Sequence, residues 1–335
     1  MERLLQGSTP ERRSEALPRS QFHCLLDDQP DHLTPEHALK SYASRTSDQG
    51  WLVNPDCCFS AGGELPAENG NGQLEGLQNF ALPHDLVWVR EPGSGILLPF
   101  WLGPRLHSYP TEMKPGSMAP RNLPSELEMS LRIAGILVSE GWTEAREQQW
   151  VAAASRGSET FRSRGYVPLP NLIHPFQVAA LRRYYRHLIR NGGMEYGDCQ
   201  TSHRFFAHNE SVARFFHRQL TKTVSVLAGE PVQPSYAYVA SYQEGADLQK
   251  HTDREQCEFS ITLCIDYAPE PRAATPWPLQ LHTPSGGITV FQALGDGLLY
   301  RGRQIPHSRD LLPPGHTSTS IFFHYVAQDF VGSLD

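Results

Sequence analysis

His251-Thr252-Asp253 sets an imidazole and a carboxylate two residues apart. In an extended segment both side chains leave the same face, so the two can share one ion. His307 follows 54 residues after Asp253, behind Gly295-Asp296-Gly297-Leu298-Leu299-Tyr300 and Arg301-Gly302-Arg303-Gln304-Ile305-Pro306, a run that reads as a strand and then a turn. A sheet that folds back on itself would bring this third side chain to the other two. Two imidazoles and one carboxylate on one face of an octahedral metal leave three positions open, which suits a nonheme iron site where O₂ and a co-substrate bind together. In a chain with 15 histidines the tripeptide alone is a weak signal. Its weight comes from the elements around it.

Those elements are clearest from Gly165 onward. Tyr166-Val167-Pro168-Leu169-Pro170 reads as a short strand. His174-Pro175 opens a helix whose apolar stripe is Val178, Leu181, Tyr185, Leu188 and Ile189 and whose end is marked by Gly192-Gly193. A further helix is expected from Glu210 through Phe215, Phe216, Leu220 and Val224. Strands are expected at 235–242, 259–267, 279–281, 288–292, 297–300 and 318–326. Phe259, Ile261, Leu263 and Ile265 alternate with Ser260, Thr262, Cys264 and Asp266, the period of a strand with one face in a core. Helices followed by many short strands predict an α+β fold whose strands form a double-sheet jelly roll, a cupin-like double-stranded β-helix with supporting helices.

The first 120 residues have another texture, rich in Pro, Gly and polar residues. Short apolar strings, Leu86-Val87-Trp88-Val89 and Ile96-Leu97-Leu98-Pro99-Phe100-Trp101, predict short strands between long loops. Residues 61–76, with their glycines and Asn-Gly step, read as a surface loop. A helix can start at Thr34-Pro35-Glu36. Another follows Pro124, with Ser125 and Glu128 at capping-box spacing and Leu127, Leu131 and Ala134 as its stripe, stopping near Gly141. A helix over 143–155 links the halves. The division predicted is an N-terminal extension or accessory domain, 1–155, and a jelly-roll domain, 156–335.

A chain of 335 residues is long enough to bury a site. The formal net charge of −7 gives no global attraction to nucleic acid or anionic membrane, so a small molecule, amino acid or peptide is the expected partner. Six cysteines without a CxxC pair suit a reducing cytoplasm. No stretch approaches eighteen consecutive apolar residues, and the N-terminus lacks the apolar core of a signal peptide. A soluble, cytoplasmic protein is therefore expected.

Tyr242-Gln243-Glu244-Gly245 lies nine residues ahead of His251. Together with the HxD, the long strand after it, Gly295-Asp296 and the second histidine, this order resembles the 2-oxoglutarate and Fe(II)-dependent oxygenase superfamily, especially its prolyl-4-hydroxylase-like branch. The resemblance spans residues 160–330, with Gly165-Tyr166-Val167-Pro168-Leu169-Pro170 looking like the family's first strand. It implies that His251, Asp253 and His307 are iron ligands and that Tyr242 lies near the co-substrate. It also implies Fe(II), with 2-oxoglutarate and O₂ as co-substrates and ascorbate as a reductant, acting to hydroxylate a C–H bond. Asp253 in the ligand set favours hydroxylation over halogenation, since the superfamily's halogenases usually carry glycine there; desaturation or ring formation would use the same three ligands.

One position departs from the pattern. Family members commonly carry Arg or Lys ten residues after the second histidine to grip the distal carboxylate of 2-oxoglutarate, and here that residue is Thr317. A hydroxyl does not replace a guanidinium fork. Arg309 is the first candidate for the missing charge, with Thr317 and Thr319 as hydroxyl donors; Arg301 and Arg303 are weaker ones. Two alternatives share the fold: a jelly-roll binding protein without turnover, and an iron oxidase that does not use 2-oxoglutarate.

Other residues read more simply. His203 and His208 stand five apart and do not share a helix face. His324, between Phe323 and Tyr325, points away from them and is expected at the surface or between sheets. Cys57-Cys58 lacks a partner ligand. Arg182, Arg183 and Arg186 beside Tyr184 and Tyr185 read as a solvated basic face, Trp88, Trp101, Phe215-Phe216 and Phe322-Phe323 as core, and Asp296 as a turn residue.

Overall fold

The computed structural model describes residues 50–60, 77, 86–101, 113–124, 128 and 131–335. The helix expected at Thr34, the loop over 61–76 and the cap at Ser125 lie outside them. The described residues divide into two compact units, one holding those up to Val151 with Pro175–Ala180, the other Ala152–His174 and Leu181–Asp335.

In the first unit β1 (Leu52–Val53) pairs with β5 (Leu137–Val138), and β2 (Cys57–Ser60), β3 (Leu86–Arg90) and β4 (Leu97–Trp101) form an antiparallel sheet. β3 and β4 are the apolar strings singled out above, and Trp88 is fully buried. The helix expected to reach Gly141 stops earlier. Gly135 turns the chain with φ 72°, and Leu137-Val138 leaves as β5, because a left-handed glycine ends the helix and β-branched Val138 suits the strand. Helix α1 (Trp142–Arg164) in turn runs beyond the expected Ser155. It buries Ala154 and Phe161, and Gly157 leaves room for Leu227, whose Cδ2 would lie 2.6 Å from a Cβ there.

The second unit holds β6 (Tyr166–Leu169), α2 (Pro175–Arg190, shared with the first unit), β7 (Glu195–Tyr196), β8 (Arg204–His208), α3 (Ser211–Gln219), α4 (Thr221–Ala228) and β9 (Val232–Tyr242). There follow β10 (Leu248–His251), β11 (Phe259–Ala268), β12 (Leu279–Thr283), β13 (Gly286–Val290), β14 (Gly297–Tyr300), β15 (His307–Arg309) and β16 (Thr317–Ala327). Seven strands form one sheet, β6-β14-β11-β16-β9-β8-β7, and four form another, β10-β15-β12-β13. Every pairing in them is antiparallel. The mixed fold is thus mostly antiparallel sheet with few helices. The helix expected from Glu210 is split at Leu220 into α3 and α4. The short strands β7, β8, β10 and β15 were not expected.

β11 departs from the half-buried strand expected of its alternation, since all ten of its residues are buried. It sits inside the larger sheet between β14 and β16, with Phe259 packed on Phe161 of α1 and Ser260 on the opposite side. A register shift between Cys264 and Asp266 turns Asp266 to the helix side. There Arg186 donates to both Asp266 oxygens, at 2.6 and 2.7 Å, and Arg182 pairs with Asp266 and Glu270. Arg182 and Arg186 are therefore buried ion-pair residues, not a solvated face: the aspartate on β11 compensates charges that burial would otherwise make costly.

Candidate metal centre

His251 ends β10 and His307 begins β15, and the two are register partners across that pair. Asp253 lies just past β10, its backbone N–H held by the Gly302 carbonyl at 2.9 Å. A side chain at residue 302 would overlap Asp253 Oδ2 and come within 2.6 Å of Ser260 Oγ, so glycine is what permits this close approach. Three side chains distant in sequence thus converge, with one donor atom from each lying within 4.8 Å of the others. His251 Nε2 is 3.6 Å and His307 Nε2 3.5 Å from the same oxygen, Asp253 Oδ1.

The backbone sets which nitrogen is offered. His251 Nδ1 lies 2.7 Å from the Gln249 carbonyl and His307 Nδ1 3.1 Å from the Ile305 carbonyl, and a carbonyl can only accept. Each neutral ring therefore carries its proton on Nδ1 and turns the Nε2 lone pair inward. Two imidazole lone pairs and a carboxylate oxygen facing one point are a donor set that fits a divalent metal. Burial works to raise the Asp253 carboxyl, but hydrogen bonding from His251 and the charges of His307 and His324 outweigh it and hold the group at about 2. His251 is raised, first by its hydrogen bond with Asp253, while burial lowers His307.

A cavity of about 440 Å³ opens over the three. Its wall mixes the aromatic rings of Phe206, Tyr236, Tyr238, Tyr242, Tyr300 and Phe322 with polar and charged side chains. Tyr242 is buried and its hydroxyl accepts from Arg204 Nη1 at 3.2 Å. Arg309 is buried beside the Trp277 ring, 4.7 Å from its centroid, and donates to the Trp277 carbonyl at 2.6 Å. Among the described residues no carboxylate pairs with it, and burial lowers its pKa.

Thr317 and Thr319 are not brought to this site. Thr319 Oγ1 lies 2.8 Å from Ser241 Oγ. It shares its strand face with Ile321 and Phe323, whereas Phe322 and His324 line the cavity from the other face. On β16 a one-residue step reverses the side, so the inward hydroxyls are those of Ser318 and Ser320. Arg301 also lies elsewhere, over the Phe161 and Phe259 rings.

Several cavity residues carried no strong sequence signal. Arg204, which reaches Asp198, Gln200 and Tyr242, sits on the unexpected β8. His208 also lines the cavity. His324 points away from Phe323 and Tyr325 and is buried on the inner wall, so of its two expected places it takes the one between the sheets and not the surface. Asp296 is a turn residue as read, accepting from the N–H groups of Asn171 and Ala293. Cys57 and Cys58 are free thiols, one buried and one exposed. Among the described residues no helix is long and apolar enough to cross a membrane.

No protein-family model matches the chain, and no curated protein matches it significantly. Solved structures do. A prolyl hydroxylase of Trichoplax adhaerens, in complex with a hypoxia-inducible-factor peptide fragment, is 13% identical with a TM-score of 0.46, covering 54% of this chain and 92% of its own. The non-heme α-ketoglutarate-dependent epimerase SnoN of nogalamycin biosynthesis is 16% identical with a TM-score of 0.44, over 53% and 82%. A Pseudomonas putida prolyl-4-hydroxylase is 14% identical with a TM-score of 0.43, over 52% and 99%. The solved structures that this chain resembles are consistently 2-oxoglutarate/Fe(II) oxygenases, prolyl-4-hydroxylases among them.

Proposed function

We propose that the protein is an Fe(II)- and 2-oxoglutarate-dependent dioxygenase that hydroxylates a C–H bond of a small molecule, amino acid or peptide. Residues 156–335 would form its double-stranded β-helix, with 1–155 as an accessory region. The observation that carries the reading is the convergence of His251 Nε2, His307 Nε2 and Asp253 Oδ1, with both Nδ1 atoms engaged by backbone carbonyls. When bound, iron would supply the O₂ chemistry that couples oxidative decarboxylation of 2-oxoglutarate to oxidation of the substrate.

The chain's own residues do the positioning. His251 and His307 would hold the metal through Nε2, and Asp253 would add the negative charge. Arg309, outside the cavity lining, is a buried guanidinium that no carboxylate pairs with among the described residues, and the distal carboxylate of 2-oxoglutarate is the anion proposed for it. Tyr242, fixed by Arg204, walls the cavity over the three ligands. The aromatic rings of the lining would pack on an apolar part of the substrate, and Asp198, Gln200, Arg204 and Arg254 beside them offer polar contacts. Succinate formed from 2-oxoglutarate under air, with Fe(II) and ascorbate, tests the proposal. Succinate release lost in Asp253→Ala supports it; O₂ uptake without succinate, or no turnover across a screen of amino acids and peptides, contradicts it.

A further inference from the structure

The two oxygens of Asp253 have separate neighbours. Oδ1 faces both metal-site histidines, whereas Oδ2 accepts from Ser260 Oγ at 3.0 Å. Ser260 Oγ is also 2.9 Å from His324 Nδ1. Ser260 and His324 are register partners on β11 and β16, so the larger sheet presents them together, while Asp253 follows a strand of the smaller sheet. A hydroxyl has one proton. If Ser260 donates it to Oδ2, its lone pair accepts from His324 Nδ1–H, and the bonds run in one direction from His324 to the carboxylate.

The dyad is itself held. His324 lies against Tyr236 and Phe322, at 4.6 and 6.5 Å between ring centroids, and its carbonyl is 2.7 Å from His217 Nε2. Gly302 closes the other side, since a Cβ there would come within 2.6 Å of Ser260 Oγ and of the Cys257 carbonyl. Asp253, Cys257 and His324 also lie close enough to suggest a second ion site. The Ser260 hydroxyl bonds to two of them, Asp253 and His324, and the Cys257 thiol is engaged 3.0 Å from Tyr236 Oη, so this cluster is a hydrogen-bonded network.

We propose that Ser260 and His324 are positioning residues that fix the Asp253 carboxylate with Oδ1 toward the two histidines and thereby set the affinity of the metal centre. The inference rests on the metal-centre reading above. Outer groups that orient a metal ligand typically contribute about ten- to hundredfold to affinity.

The test uses the metal-free full chain titrated with Co(II), followed by its visible absorption and by calorimetry. Ser260→Ala and His324→Phe are expected to bind Co(II) about ten- to hundredfold more weakly, with a changed absorption band and an apo melting temperature near that of the parent. His324→Asn, which retains a side-chain N–H donor, should recover most of the affinity. Cys257→Ala should bind as the parent does. Parental affinity and band in Ser260→Ala, or in a folded His324→Phe if the serine variant does not fold, would overturn the proposal. A parent chain that binds no Co(II) would instead overturn the metal-centre reading beneath it.

Discussion

His251 and His307 face each other across β10 and β15 with ring centroids 4.4 Å apart, yet their surroundings shift their pKa values in opposite directions. The hydrogen bond to Asp253 raises His251, and burial lowers His307. The metal-free centre therefore takes its first proton on His251.

That order predicts the proton balance of metal binding. With His251 raised above the ordinary histidine value and His307 lowered below it, the protons that a metal displaces near pH 6.5 come mainly from His251. Affinity should rise with pH and level off above the raised His251 value. Calorimetry in buffers of different ionisation enthalpy measures the count.

Arg309→Ala should raise the 2-oxoglutarate KM by about ten- to hundredfold, as expected for a charge-assisted hydrogen bond of about 1.5–3 kcal/mol, and leave Co(II) affinity near that of the parent. Thr319→Val should leave the 2-oxoglutarate requirement unchanged and cost about 1 kcal/mol through its lost bond to Ser241. Succinate assays across 2-oxoglutarate concentrations separate the two.

Much of this was legible in the residues, and the failures have physical causes. The long strands β9, β11 and β16 declare themselves through apolar residues, and the HxD with a distant histidine marks the three side chains that converge. The short β10 and β15, which bring them together, carry too few residues to show a period. Alternation told that His324 opposes Phe323, but not that both faces of the central strands are covered. The same missing layer hid the burial of Arg182 and Arg186, and a one-residue choice of face misplaced Thr317 and Thr319.

Acid should destabilise the fold through two buried histidines outside the ligand set. Burial holds His217 at about 3 and His324 at about 4, against an ordinary value of 6.5. Below that value the unfolded chain binds protons that the folded chain does not, so stability falls as pH drops from 6.5 toward 4. Urea unfolding across this range should show uptake approaching two protons from this pair, and His217→Phe should reduce the slope by about one.

Asp266→Ala removes the carboxylate between Arg182 and Arg186 and should cost about 3–5 kcal/mol, because it leaves buried positive charge without compensation. Denaturant unfolding of the metal-free chain measures this apart from any effect on the site.

The most direct test of the central claim is the stoichiometry of Fe(II) binding to the anaerobic, metal-free protein. One Fe(II) per chain is predicted, lost in His307→Ala while far-UV circular dichroism stays that of the parent. A parent chain that takes up no Fe(II), or a folded His307→Ala that binds it with parental affinity, would contradict the account.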